Sequence, residues 1–309
     1  MTAAIDSKLR LASRLVNGVL AIKPLFSLAK YRARKMMIKR AESIGVPWTE
    51  IAADLRSRDW SSEFNLVNNP DLNYPDYYLR SFHAYDEGNL GWEPAIEVEV
   101  AAYAVHARIW QDAGKDGDPR LRRSYHDVLK AQISNTPKDI VDLGCSVGMS
   151  TFALQETFPG SSITGVDLSP YFLAVAQYRT QHRNTSEFSD PVWVHAASES
   201  TSLPSASYDL VSACLMFHEL PQDATHQILK EVRRLLRPGG HLAIMDMNPK
   251  SEIYAKMPPY ILTLLKSTEP YIDDYFALDF ETAIAQSGFS QPIVTCNSPR
   301  HRTLIAQAT

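Results

Sequence analysis

The chain has 309 residues, 45% hydrophobic and 21% charged, which is ordinary globular composition with room for one large domain and additions. No apolar run reaches the ~20 residues that cross a bilayer. Three well-separated cysteines, Cys145, Cys214 and Cys296, exclude a disulfide framework and fit a reducing, cytoplasmic compartment, and no CxxC or HxxxH pair offers structural zinc. The net charge of -4 hides an asymmetry: residues 1–40 hold ten Lys/Arg against Asp6 alone, +9, leaving -13 for the rest, so an interaction segment is expected at one end.

In chain order, residues 8–30 place Leu11, Leu15, Val19, Ile22 and Phe26 on one helical face with a basic opposite side, and Pro24 is expected to end or kink that helix. Such a helix either lies on an anionic membrane surface or packs on the domain. No cleavage-like site interrupts it, so a targeting peptide is not expected. A second helix covers 41–58, opened by Val46-Pro47-Trp48. Residues 59–94 are dense in turn formers yet carry Tyr74, Tyr77, Tyr78, Phe82, Tyr85 and Trp92, the mark of a structured loop that serves as a lid or binding wall. Helices are expected over 95–112 and 121–134, separated by a polar break. These divide a helical and looped cap, residues 1–119, with its basic amphipathic segment 8–40, from a main domain over 120–309.

From residue 138 strands and helices alternate: strands at 140–143, 162–167, 192–195, 208–214 and 241–247, helices at 149–158, 170–182 and 222–236. This pattern predicts an α/β fold, a doubly wound and mostly parallel sheet. Runs at 292–296 and 302–306 close it with an antiparallel hairpin.

The chemistry starts at Asp139–Ser150, DIVDLGCSVGMS. A strand, a turn with Gly144 and Gly148, and a helix start make a nucleotide-cradling unit, but two glycines of the dinucleotide pattern G-x-G-x-x-G are missing. Asp167 closes the second strand 25 positions after Asp142. A carboxylate there accepts hydrogen bonds from a ribose diol and repels a 2′-phosphate.

Over residues 120–309 the chain resembles the class I S-adenosylmethionine-dependent methyltransferases. VDLGCSVG is similar to their first motif, VDLSPYFLAVA to the second, HAASESTSLPSASYDLV to the third, and LLRPGGHLAIMD to the turn into the fifth strand, all in order. The resemblance implies a seven-stranded Rossmann-like sheet and S-adenosyl-L-methionine as cofactor. It implies contacts from Asp142, Gly144, Cys145, Ser146 and Gly148 in the turn, Asp167 at the ribose, and Leu168, Ala197, Ser198 and Met216 around the base and the methionyl part. FHEL, LLRPGG and the loop PPYILTLLKSTEPY are most similar to the quinone-methyltransferase-like, small-molecule branch. The aromatic segment resembles an N-terminal extension of cyanobacterial and plastid members.

Two positions depart from the pattern. Ser146 replaces a frequent glycine and fits if its φ is negative. Ala197 replaces a frequent Asp, shifting adenine contacts to backbone, Ser198 or Glu199 at a cost of ~0.5–1.5 kcal/mol.

The implied reaction is in-line methyl transfer to carbon or oxygen of a small aromatic or apolar acceptor, carried largely by proximity. His218, at the carboxyl edge after the fourth strand, is the expected general base near neutral pH or a residue that closes the cofactor pocket. His83 is the second catalytic candidate. Tyr78, His83, Tyr85, Glu269 and Tyr271 are expected to line the acceptor site. No metal is expected: Asp246 and Asn248 lack a third oxygen ligand. A nucleic-acid methyltransferase is the alternative, supported only by the basic N-terminus, since CLMFHEL stands where base-modifying relatives place an NPPY-type motif. A non-catalytic cofactor-binding protein is the other.

Overall fold

The structure is a computed structural model that describes residues 23–83, 85–183 and 188–309. Most of the segment assigned to a membrane-surface helix, residues 8–22, lies outside the described residues. No helix among them is long and apolar enough to cross a membrane.

Seven strands form one sheet in the order β3-β2-β1-β4-β5-β7-β6. They are β1 (Asp139–Leu143), β2 (Ser162–Asp167), β3 (Val192–His195), β4 (Tyr208–Cys214), β5 (Leu236–Met247), β6 (Ile293–Thr295) and β7 (His301–Gln307). β1 to β5 run parallel, and β7 pairs antiparallel with both β5 and β6. The central strands are covered on both faces, which is why their sequences are nearly continuous apolar runs. The chain order reverses between β1 and β4, so the crevice for a ligand opens at their carboxyl ends. Register brings the chemistry to that edge. Asp142 pairs with Gly165 and Leu143 with Val166, so Asp142 and Asp167 end neighbouring strands. Asp246 sits near the same end of β5.

The helices, in chain order, are α1 (Lys23–Ser43), α2 (Trp48–Arg56), α3 (Ser61–Val67), α4 (Trp92–His106), α5 (Gly117–Gln132), α6 (Met149–Thr157), α7 (Pro170–His182), α8 (Gln222–Leu235), α9 (Glu252–Ala255), α10 (Pro259–Thr268), α11 (Ile272–Ala277) and α12 (Phe280–Gln286). The start of α7 is written locally: Pro170 is in the first turn, and the Ser169 hydroxyl accepts from the Phe172 N–H at 3.3 Å.

The helix that Pro24 is expected to end or kink lies largely outside the described residues; Pro24 itself is within α1. Two helix expectations are corrected. Residues 59–94 are not all loop. Ser61–Val67 is helical, held by tertiary packing in which Trp60 stacks on Trp92 at 5.4 Å and Phe64 meets Trp92 at 5.8 Å. The helix expected over 95–112 starts earlier and stops at His106.

The N-terminal helices share a core with the sheet layer. Trp48, Ile96 and Val100 pack in one buried cluster with Val147, Phe172 and Val175, and burial of each large apolar side chain contributes ~1.5–3 kcal/mol. A buried carboxylate ties α1 and α2 to α4. Glu97 accepts from Arg34 Nε at 3.0 Å, Arg56 at 2.6 Å and the Tyr85 hydroxyl at 2.7 Å. Burial raises its pKa, but the Arg34 guanidinium and the Tyr85 hydroxyl prevail and hold it below the usual carboxylate range.

Candidate active site

The glycine turn leaves β1 with Gly144 at φ +63° and Gly148 at φ +85°. A Cβ on Gly144 would stand 2.7 Å from the Met216 sulfur, so the bare backbone is what lets Met216 lie across the turn. Ser146 is corrected: its φ is +50°, not negative, a conformation that costs an L-residue ~1–2 kcal/mol. The Ser146 N–H compensates by donating to Asp167 Oδ2 at 2.8 Å. Asp167 Oδ1 accepts from the Ser169 N–H, also at 2.8 Å. Burial pushes the Asp167 carboxyl up to about 6 against those two bonds.

Asp142 is fully buried. Its Oδ2 accepts from the Ser150 and Thr151 hydroxyls at 2.6 and 2.7 Å, while Oδ1 has no partner. Burial also pushes this carboxyl up to about 6. The Ser146 hydroxyl is likewise buried and unpartnered. Of the two, Ser146 lines a cavity, and its unsatisfied hydroxyl fits a polar ligand.

Beyond Asp167, Leu168 packs with Ala197 and Tyr78. The Leu168 carbonyl accepts from His195 Nε2 at 3.0 Å, and His195 Nδ1 accepts from the Asn69 N–H at 2.9 Å. One histidine thus pins both the strand end and the aromatic segment. Glu199 does not face this pocket as an adenine acceptor; it takes the Tyr77 hydroxyl at 2.8 Å.

A cavity of about 960 Å³ opens here. Gly144, Cys145, Ser146, Asp167, Leu168, Ser198 and Met216 line it, as do Tyr78, His83, Tyr85, His218 and Glu269. Asp142, Gly148 and Ala197 are not among the lining residues. Tyr271 is also outside the lining. Its hydroxyl reaches the Tyr77 carbonyl at 3.4 Å, and its ring packs on Phe82, so it clasps the aromatic segment. Tyr85 lies at the cavity wall with its hydroxyl committed to Glu97.

The reactive groups cluster at the far side. His218 Nδ1 donates to the fully buried Asp246 Oδ1 at 2.8 Å, and Asp246 also accepts from the backbone N–H of Met247 at 2.7 Å. Burial disfavours the imidazolium, but Asp246 prevails and raises His218 to about 9. His218 is therefore a cation at neutral pH, and the free base expected there forms only as pH approaches 9. His83 Nε2 lies 3.2 Å from Glu219 and 3.3 Å from Glu269. Burial works against its charge and the two carboxylates for it, leaving it raised to about 10. The remaining wall mixes charged residues such as Arg34, Glu93 and Arg300 with apolar ones: Met37, Val98 and Val105 from α1 and α4, and Met257, Ile261 and Leu265 from the α10 region.

Sequence reasoning missed Arg122, a cation whose side chain is 13% exposed and which lines the cavity while paired with Asp118 at 2.9 Å. It also missed Asn89, whose amide donates to Glu219 Oε2 at 3.3 Å. The signal for Arg122 was present, an i,i+4 acid–base pair on a helix leading into the glycine turn.

The pattern of the methyltransferase domain family matches residues 141–244. The malonyl-[acyl-carrier protein] O-methyltransferase of Hahella chejuensis is 36% identical over 106 residues, 34% of this chain and 35% of that protein. The chain thus spans about a third of that relative's length. The ubiquinone biosynthesis O-methyltransferase of Nitrosomonas europaea is 28% identical over 186 residues, covering 57% of this chain and 75% of that one. Among solved structures, the Haemonchus contortus phosphoethanolamine N-methyltransferase 2 complex with S-adenosylhomocysteine superposes with TM-score 0.53 at 14% identity, covering 77% of this chain and 60% of that chain. The putative O-methyltransferase of Nostoc punctiforme gives 0.51 at 17% identity, covering 70% and 59%. These superpositions share the seven-stranded fold.

Proposed function

We propose that the chain is an S-adenosylmethionine-dependent enzyme of the class I methyltransferase kind that methylates oxygen or carbon of a small acceptor with an aromatic ring and apolar body, a reading supported by the methyltransferase-domain match over residues 141–244. One observation carries the reading: a single cavity joins the glycine turn and Asp167 to a buried histidine–carboxylate group and then to an apolar wall. S-adenosylmethionine, when bound, supplies a methyl group already activated on a sulfonium.

The chain's own residues supply the rest. Asp167 accepts the ribose hydroxyls, with Leu168 and Tyr78 flanking the base. The unpartnered Ser146 hydroxyl and the cation of Arg122 suit the polar amino-acid end. His218, held by Asp246 with Nδ1 protonated, presents Nε2 to take a proton from the acceptor as pH rises towards 9. Apolar side chains of α1 and α4, which the 1–119 cap contributes, exclude water together with those of α10 and receive the acceptor's body. The relatives' names support a small acceptor, in one case an O-methylation in ubiquinone biosynthesis. The nucleic-acid alternative rests on the basic segment, whose residues 1–22 lie outside the described ones; within the rest, Arg34 is paired with Glu97.

The test is turnover. The full chain should convert S-adenosylmethionine to S-adenosylhomocysteine in the presence of a catechol carrying an isoprenoid tail, and faster than with catechol alone, because each buried CH₂ contributes ~0.8 kcal/mol. Equal rates with and without the tail would contradict the apolar-acceptor assignment, and no acceptor-dependent product with either would contradict methyl transfer to this class.

A further inference from the structure

We propose that His83, Glu219 and Glu269 form a site for one divalent first-row metal ion, of the Mn²⁺, Fe²⁺ or Zn²⁺ class, with open coordination positions facing the cavity. The three residues come from separate segments: the aromatic segment, the turn after β4, and the end of α10. One ligand atom from each lies within 4.8 Å of the other two. His83 Nε2 is 3.2 Å from Glu219 Oε1 and 3.3 Å from Glu269 Oε1. Those spacings suit an ion ~2.0–2.2 Å from each donor. One imidazole and two carboxylates form a mixed nitrogen–oxygen set, which suits these ions better than Ca²⁺.

A second observation points to a ligand at the same place. Glu269 has a side chain only 9% exposed, lines the cavity, and its Oε2 is buried with no partner. The supporting residues are also in position. Asn89 hydrogen-bonds both His83 and Glu219, the orienting role that outer residues play at metal centres. His83 is held at φ +49° by donating its N–H to the Thr268 carbonyl at 3.1 Å. Backbone strain of this kind persists where surrounding structure over-determines it.

Binding requires His83 Nε2 to lose its proton to solvent, so a proton and the ion compete for one place between the carboxylates. The ion's use rests on the methyl-transfer reading: an acceptor oxygen would fill an open position, and the ion would lower that oxygen's pKa.

The test uses the full chain, stripped with chelator, at pH 8 and without S-adenosylmethionine. Mn²⁺ binding is followed by electron paramagnetic resonance and Zn²⁺ binding by calorimetry. One ion per chain is expected, with ¹⁴N modulation from the imidazole on bound Mn²⁺. Glu269→Gln should bind at least ~10-fold more weakly with an unchanged circular dichroism spectrum. Failure of both ions to bind below millimolar concentration overturns the site, as does bound Mn²⁺ without nitrogen modulation. Undiminished affinity in folded Glu269→Gln does the same; if that variant does not fold, the wild-type modulation decides. Because no methyl donor is present, failure here leaves the donor's own binding as a separate result.

Discussion

Asp246→Asn is expected to lower the unfolding free energy by about 3 kcal/mol at pH 6 and to abolish most of the protein's stability loss between pH 6.5 and 9. His218 is raised from 6.5 to about 9 in the folded state because the buried Asp246 outweighs its burial. A folded pKa above the unfolded one means that the native state binds the extra proton. The resulting stability is therefore complete below pH 6.5 and is lost as pH rises through about 9. Two and a half pKa intervals correspond to about 3 kcal/mol, in line with the ~3–5 kcal/mol lost when one partner of a buried ion pair is removed. With asparagine, only the more distant Glu219 and Glu269 still oppose burial, so the His218 pKa should fall. The ascending limb of the pH profile for methyl transfer should then move to lower pH, and the maximal rate should fall by ~10²-fold or more as the ring loses its orienting anion. His83 also carries a raised pKa, but its side chain is 39% exposed, so solvent screens its contribution. Denaturant titrations of both proteins at pH 6 and pH 9 check the stability claim; an unchanged pH dependence in the variant would contradict the pairing.

Asp167→Ala is expected to weaken S-adenosylmethionine binding by ~10²-fold or more. Hydrogen bonds to a charged acceptor contribute ~1.5–3 kcal/mol each, and two ribose hydroxyls would be lost together. The variant also strands the Ser146 and Ser169 N–H groups, each held at 2.8 Å in the wild type. Ser146 then has nothing to offset its left-handed conformation, so the turn itself should loosen. Asp167→Asn keeps one acceptor oxygen and should fall between the two. The same residue gives a pH signature. Its carboxyl is raised to about 6 by burial, so wild-type affinity should decline as pH drops below 6, where protonation turns one acceptor into a donor. Calorimetric titration at pH 5 and pH 7.5 measures both effects. An alanine variant that binds like wild type would remove Asp167 from the ribose site.

The sheet was legible because its signals are local. Apolar runs ending in Asp142, Asp167 and Asp246, with glycine or Ser-Pro punctuation after the first two, mark strand ends wherever they pack. Ser146 shows the limit. Its residue type favours negative φ, but its N–H meets Asp167 across the β1–β2 register, and that long-range bond sets the conformation. The same holds for His218 and Asp246, 28 positions apart, which meet only because β4 and β5 pair with Cys214 opposite Met245. Either residue alone suggests several roles; together they define a charged pair. Tyr271 was misplaced because an aromatic next to a buried glutamate reads as a pocket wall, whereas Tyr77 and Phe82 draw its ring away from the cavity. The apolar wall from α1 and α4 was hidden for a related reason: helical periodicity says that a face is buried, not that it is buried against a cavity.

The central claim is that one cavity holds the methyl donor at its turn end and the acceptor at its histidine end. A crystal structure of the full chain with S-adenosylhomocysteine tests it most directly. The account predicts the ribose hydroxyls on Asp167, the base against the Leu168 and Tyr78 side chains, and the sulfur facing the space bounded by His218 and His83. Electron density for the ligand elsewhere, or a ribose turned away from Asp167, would contradict it.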